Sequence, residues 1–537
     1  MISPKLIELQ HLEHLDLGYI DFNGSPFPDF IGSLINLRYL DLSWTNFGGK
    51  FPSQVGNLTN LVYLDLSANY FTNVENLEWL PLLSSLRYFD LSSANLSNVF
   101  NWMEAVNKLP ELTNLTLRGR DLPSPILSTL SYVNSSKSLA SVELSINDLS
   151  TSSIFLWWSN YNISLVYLDL SQNLLPGSIP DVFGNMSSLS YLDLSSNQLE
   201  GGVPHSFASL CSLQSLDLSS NILSGQLSKF VQTLLSTCAQ NSLEILDLSW
   251  NYLAGSLPDL TKLSSLELLC LNNNQLSGVI SGIHFSKLSK LQSLDLSSNS
   301  LVLDIHTNWI PPFQLDYINL GSCKMGPDFL KWLQTQKKFS YLDIFDAEIS
   351  NILPSWFWSL YRHVTFMNLT SNHIRASQIT PKIGNLQSLD ALDLSRNQIE
   401  VRIPTNLSRI NRLSFLDLSF NNLSSEIPVG TQLQSFDTFV YAVNPQLYGP
   451  PLKKMCADQN VHTDLSNRED DKDELITLGF YISMGLGFAA RFWGVCGTLI
   501  FKRSRRYAYF KFLNGLNDWL YVRVALIKRQ LKDMLNR

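Results

Sequence analysis

The stretch Leu189-Ser190-Tyr191-Leu192-Asp193-Leu194-Ser195-Ser196-Asn197 decides how the chain folds. Leu192 and Leu194 alternate with Tyr191, Asp193 and Ser195, the period of two that marks a strand with one buried face. The phrase recurs from end to end. Taking the second apolar residue of each Leu-x-Leu pair as a marker gives Leu17, Leu42, Leu66, Leu91, Leu117, Leu144, Leu170, Leu194, Leu218, Leu248, Leu271, Leu296, Leu320, Ile344, Leu369, Leu394 and Leu418. These 17 markers recur about every 25 residues, and no interval exceeds 30. At such a fixed period each unit is one coil that cannot bury its apolar face alone and so stacks on its neighbours.

Within a unit the leucines point into the coil and the intervening residues face outward on a concave parallel sheet. The Asn three residues past the marker (Asn69, Asn173, Asn197, Asn221, Asn251, Asn274, Asn299, Asn397, Asn421) is placed to bond backbone groups of the turn, since buried backbone must find partners. Several units end in Gly-x-Ile-Pro, as at Gly177-Ser178-Ile179-Pro180. Gly permits a tight turn there, and Pro is expected to stop ladder pairing. The expected fold class is an α/β-type repeat solenoid, followed by one transmembrane helix.

Composition narrows the function. Of 537 residues, 45% are hydrophobic and 16% are charged, which excludes a disordered chain. The long apolar runs of a polytopic membrane protein are missing. A net charge of -8 argues against a nucleic-acid binder. Six Cys are too sparse for a disulfide scaffold, and eight scattered His offer no catalytic, metal or phosphate-loop spacing, so neither an enzyme nor a cofactor is expected.

Repeat endings such as Gly201-Gly202-Val203-Pro204 and Gly255-Ser256-Leu257-Pro258 resemble the plant-specific leucine-rich repeat. The run from Ile427 to Phe436 (IPVGTQLQSF) and the run from Phe492 to Leu499 (FWGVCGTL) resemble plant receptor-like proteins, nearest to those that perceive fungal elicitors or apoplastic effectors. The resemblance implies four parts: a repeat ectodomain over 1–436, a C-terminal cap remnant and acidic linker over 437–474, a membrane helix over 475–501 and a cytoplasmic tail over 502–537. It also implies a signal peptide and a Cys-containing N-terminal cap. Here Met1 falls directly into a repeat, so the expectation is a form truncated at that end and localised to the plasma membrane, single-pass, if a signal peptide is supplied upstream.

Residues 475–501 carry one charge, Arg491, over a length that spans a bilayer. The tail holds ten Lys/Arg against two Asp, which places it in the cytosol and sets its basic helix against membrane lipids. At 36 residues it is too short for a kinase. Gly479, Ser483 and Gly487 lie four apart, a spacing that lets another helix approach closely, and the resemblance implies a receptor-kinase adaptor as that partner. Arg491 extends the row where the family has a small or apolar residue; pairing with a partner's acid and a degenerate substitution are both open. Tyr507, Tyr509 and Tyr521 fit a Tyr-x-x-apolar sorting pattern, and interfacial anchoring explains the first two equally well.

Ten Asn-x-Ser/Thr sequons, at Asn23, Asn57, Asn95, Asn114, Asn134, Asn162, Asn185, Asn368, Asn406 and Asn422, all precede the membrane segment, as in a glycosylated ectodomain. Tyr39, Tyr63, Tyr88, Tyr167, Tyr191, Tyr317, Tyr341, Phe366 and Phe415 form an aromatic column on the concave face, and Asp takes the next outward position in 12 of 17 units. Exposed aromatics and acids suit a peptide, protein or glycan ligand; lateral packing of the rings is the competing reading. Cys211 and Cys238 bracket the longest step and are expected to form a disulfide. Cys323 reads as a structural replacement for the ladder Asn, Cys270 as a free thiol, and Cys496 as an apolar or lipidated membrane residue. Asn444-Pro445-Gln446-Leu447 resembles the start of the family's C-terminal cap, with Cys456 lacking its partner. Three functions fit: a cell-surface receptor relaying through a kinase, a truncated decoy or inactive product, and a hydrolase-inhibitor-like repeat protein, against which the membrane segment argues.

Overall fold

A computed structural model describes residues 2–119, 122–125, 138–158, 164–238, 242–359, 363–375 and 379–454. The chain divides at Cys456, and everything described lies in the first unit. Each of the 17 markers directly follows one strand of a 17-stranded parallel sheet that runs from His14–Asp16 to Phe415–Asp417. The strands are three residues long and pair without slippage: Tyr39 faces Tyr63, Leu40 faces Leu64, and Asp41 faces Asp65. Leu40, Leu42, Leu64 and Leu66 are fully buried, so each coil sends both leucines into one continuous core. A one-residue slip would turn every one of them outward, which is why the register is fixed.

The asparagines lock coil to coil. Asn197 Nδ2 donates to Leu170 O of the preceding coil (2.9 Å), to Leu194 O (3.1 Å) and to Ser195 O (3.1 Å). Its Oδ1 accepts from Leu175 N at 3.0 Å. The arrangement extends to Asn147, Asn372 and Asn444, which the sequence reading did not include. Cys323 takes the same place, its thiol donating to Leu296 O at 3.4 Å. Asn444 and the Gln446–Tyr448 strand, which pairs with Ser424–Glu426, show that the first residues after the repeat region follow the repeat's own plan.

Two expectations need correction. The Gly-x-Ile-Pro segments do more than turn. Pro176–Ser178, Gln198–Gly201, Ile222–Gln226, Tyr252–Gly255, Gln275–Ile280 and Ser300–Leu303 form a second, six-stranded parallel sheet. Gly177 and Gly201 sit in it at φ +82 and +77, which a side chain disfavours, and pairing stops before Pro180 and Pro204. At Val401, where Gly is replaced, pairing is reduced to the isolated bridge Arg402 to Ser424, whereas Ser425 adopts φ 76 and still pairs with Leu447. The helical side is also mostly short 3-10 turns, such as Asp181–Asn185 and His205–Ser209. The rest of each coil leaves room for about one turn, and among the described residues only Leu227–Leu235, inside the longest step, reaches nine residues of α-helix. Cys211 and Cys238 are disulfide-bonded beside it.

Among the described residues no helix is long and apolar enough to cross a membrane. The expected membrane helix and tail, with Gly479, Ser483, Gly487, Arg491, Cys496, Tyr507, Tyr509 and Tyr521, lie outside the described residues.

Candidate functional site: the outward face of the long sheet

In-register pairing makes every outward position of the long sheet a column. The aromatic column is stacked. His14, Tyr39, Tyr63 and Tyr88 form a four-ring stack with centroids 4.1, 4.3 and 4.3 Å apart. Tyr167 stacks on Tyr191, and Tyr317, Tyr341 and Phe366 form a third stack, all at 4.3 Å. The spacing follows from the separation of paired strands, about 4.8 Å. Ring faces inside a stack are therefore spent on each other, and a ligand meets ring edges and hydroxyls. Phe415, at 50% exposure, stands outside any stack. Burial among the other rings and nearby carboxylates pushes the Tyr88 and Tyr167 hydroxyls up to about 12, so they act as neutral hydrogen-bonding groups.

The acids are less exposed than the sequence suggested. Asp65, Asp90, Asp169, Asp295 and Asp343 are buried. Each Asp folds onto its own turn: Asp65 Oδ1 accepts from Ser67 N at 2.9 Å, and Asp193 Oδ1 from Ser195 N at 2.8 Å. This Asx-type bond, with the neighbouring rings, removes the carboxylate from water. Desolvation raises the carboxyls, Asp90 to about 7 and Asp193 to about 6, with Asp65, Asp217, Asp247 and Asp295 also raised; like charge in the next strand adds to it at Asp65, Asp90, Asp193 and Asp217. Where the column carries Asn, the repulsion becomes a bond. Asn319 Nδ2 donates to Asp295 Oδ2 (2.9 Å), and Asn368 Nδ2 to Asp343 Oδ2 (3.1 Å). Cys270 is a free, half-buried thiol between Asp247 and Asp295, and burial raises it.

Sequence reasoning missed a third row. The residue two past the marker has positive φ in most units, and at four places it is aromatic: Tyr19 (φ 63), Trp44 (φ 56), Trp250 (φ 55) and Phe420 (φ 53). Such residues are uncommon in that conformation. Trp44 and Trp250 are 61% and 60% exposed. The Arg396 guanidinium lies 4.4 Å over the Phe420 ring. The signal was present, since Ser or Ala fills this place in many other units. Elsewhere, a cavity of about 710 Å³ at the strand entrances mixes Glu267, Lys290, Asp316 and Lys338 and favours neither charge.

Of the sequons, Asn23, Asn57, Asn95, Asn185 and Asn422 are exposed, while Asn114, Asn368 and Asn406 are half-buried. Asn114 and Asn368 stand on the sheet itself. Asn134 and Asn162 lie outside the described residues.

Comparison with known proteins agrees with this architecture. The family model Leucine rich repeat matches residues 137–199 and 163–223, and a second Leucine Rich Repeat model matches 36–58, 242–263 and 412–432. These matches identify leucine-rich repeats within the chain, and its homologues include receptor-like proteins of plants. It is 35% identical over 498 residues to Receptor-like protein EIX1 of Solanum lycopersicum, covering 75% of this chain and 48% of that one. Receptor-like protein EIX2 of the same plant is 30% identical over the same extent. The chain thus spans about half the length of these relatives. Among solved structures, the Arabidopsis receptor kinase HAESA, in complex with the peptide hormone IDA and the co-receptor SERK1, is 27% identical with a TM-score of 0.57, covering 85% of this chain and 73% of that one. PEPR1 with AtPEP1 is 25% identical with a TM-score of 0.54, covering 79% and 68%.

Proposed function

We propose that the chain is a cell-surface receptor-like protein whose long-sheet face binds an extracellular peptide, protein or glycan in plant defence, and which signals through a partner receptor kinase rather than by its own catalysis. The observation that carries this reading is the 35% identity to Receptor-like protein EIX1 across 75% of the chain. The HAESA complex, with a related solenoid holding a peptide hormone and a co-receptor, supports a peptide ligand and a kinase partner. Residues 475–501 supply the anchor in this reading, and Gly479, Ser483 and Gly487 the helix-docking row.

The test is expression in plant cells of the full chain behind a secretory leader, with recovery of the detergent-solubilised protein. The reading expects glycosidase-sensitive mobility and co-purification of a receptor kinase, the latter lost when Gly479, Ser483 and Gly487 are all replaced by Ile. A glycosylated chain that retains its kinase in the triple variant refutes the helix-docking row. A chain that stays unglycosylated refutes the receptor reading and favours the inactive product.

A further inference from the structure

The third aromatic stack ends in a gap. Tyr341 and Phe366 lie 4.3 Å apart and within 3° of parallel. The next strand places Ala391 opposite Phe366, and the strand after it places Phe415 opposite Ala391. Two phenyl rings therefore flank a methyl group, two strand spacings or about 9.6 Å apart. The other breaks in the column are two strands wide (Asn114 and Ser141) and four strands wide (Ser215, Ile245, Leu268 and Ser293), so among the described residues this is the break that is one planar group thick. Phe415 is 50% exposed, as expected of a ring with no stacking neighbour on that side.

The slot has a polar frame. On the strand-entry side the Asp390 carboxylate is held by Arg412, Nε to Oδ1 at 3.0 Å and Nη2 to Oδ2 at 3.1 Å, which neutralises it. On the exit side stand Asp393 and Asp417. Their Oδ1 atoms accept from Ser395 N and Ser419 N at 2.9 Å each, and the Ser395 side chain also bonds the Asp393 carboxylate. Among the described residues, Asp417 keeps Oδ2 for another donor. Arg396, the cation nearest this pair in sequence, rests on Phe420 while its charge also favours the Asp393 carboxylate.

We propose that the slot over Ala391, walled by Phe366 and Phe415 and edged by Asp393 and Asp417, receives the guanidinium of an arginine in a peptide ligand. A guanidinium is flat, weakly hydrated and stacks on aromatic faces, while its N–H fork matches a carboxylate. The chain makes the same contact internally, Arg396 over Phe420 at 4.4 Å, close to the 4.3 Å step of the stack. A lysine ammonium lacks the flat face, and a neutral planar group lacks the charge. This deepens the receptor reading and rests on it for the peptide, though the slot itself is tested without any cell response.

The test uses the purified full chain in detergent and capped tripeptides Gly-Arg-Gly, Gly-Lys-Gly and Gly-citrulline-Gly, titrated by saturation-transfer NMR. The arginine peptide is expected to bind at least ten-fold more tightly than the other two. Ala391→Phe, which fills the slot, removes that binding, and Asp393→Asn weakens it several-fold. Phe415→Ala, which opens one wall without adding bulk, also removes it and covers the case in which A391F does not fold. Equal binding of the three peptides, no binding of the arginine peptide, or undiminished binding in both folded A391F and F415A overturns the proposal. A chain that fails glycosylation in plant cells but passes this test loses the receptor reading and keeps the slot.

Discussion

Asp90→Asn tests the electrostatic reading of the acid column. Asp90 is 9% exposed and lies between Asp65 and Thr116 in the paired strands. Its carboxyl is raised from the usual 3.8 to about 7, by desolvation first and by Asp65 among the other causes. A carboxyl raised in the folded state binds more protons folded than unfolded between those two values. Stability therefore falls as pH climbs from about 4 to about 7, and the penalty is complete above that. Three pH units correspond to about 4 kcal/mol, an upper figure because a charged Asp90 draws in water and counter-ions. Asn keeps the acceptor for Ser92 N (2.8 Å in the Asp form) and adds a donor toward Asp65, the bond Asn319 already makes to Asp295 at 2.9 Å. D90N is thus expected to match the parent chain in guanidinium unfolding at about pH 4 and to exceed it by about 2–4 kcal/mol at about pH 8. Asp193→Asn, with its carboxyl raised only to about 6, should show a smaller gain that levels off a unit earlier. A pH-independent difference, or a loss of stability in D90N at about pH 8, refutes the argument.

Three other expectations follow from the packing. Asn197→Ala removes one of two donors from each of Leu170 O, Leu194 O and Ser195 O, which keep Asn173 Nδ2, Asn221 Nδ2 and Gln172 N, and it leaves Leu175 N without its acceptor; it should cost about 2–4 kcal/mol in denaturant unfolding, with new protease cuts near coils 170–197. Reducing Cys211–Cys238, whose cysteines are 27 residues apart, should cost about 3–4 kcal/mol; an unchanged denaturation midpoint in reductant would show that the helix packing alone closes that coil. Gly184→Ala and Gly177→Ala should separate two uses of glycine. A Cβ at Gly184 would meet the Ser206 Cβ at 2.5 Å and its carbonyl at 2.8 Å, whereas at Gly177 nothing lies within 4 Å and only φ +82 objects. Unfolding midpoints should fall by about 2 kcal/mol or more in G184A and about 1 kcal/mol in G177A, and the reverse order counts against the packing account.

The fold was legible because its determinants repeat. Leu192, Leu194 and Asn197 each answer a demand that every coil makes, so any one coil reveals the others, and even Thr45 and Cys323 stand out as substitutes at a known position. The outer sheet was not legible, because its strands depend on backbone φ at Gly177 and Gly201 and on a neighbouring coil to pair with, neither of which is a side-chain pattern. The site divides the same way. The sequence placed Tyr63 and Asp65 on the outward face and left lateral ring packing open beside ligand contact; it did not decide that Tyr63 is stacked between Tyr39 and Tyr88, and it did not show that Asp65 folds onto Ser67. Those outcomes belong to pairs of coils about 25 residues apart, and they turn most of the column into structure. What remains available to a ligand is the set of places where the repeat is broken: Asn114 and Ser141 between two stacks, the Ser215 to Ser293 interval without aromatics, and Ala391 between Phe366 and Phe415. A periodic column offers every ligand the same surface along its length and so fixes no position on it. Specificity requires the irregular residues, and these are the ones that a reading built on the repeat passes over.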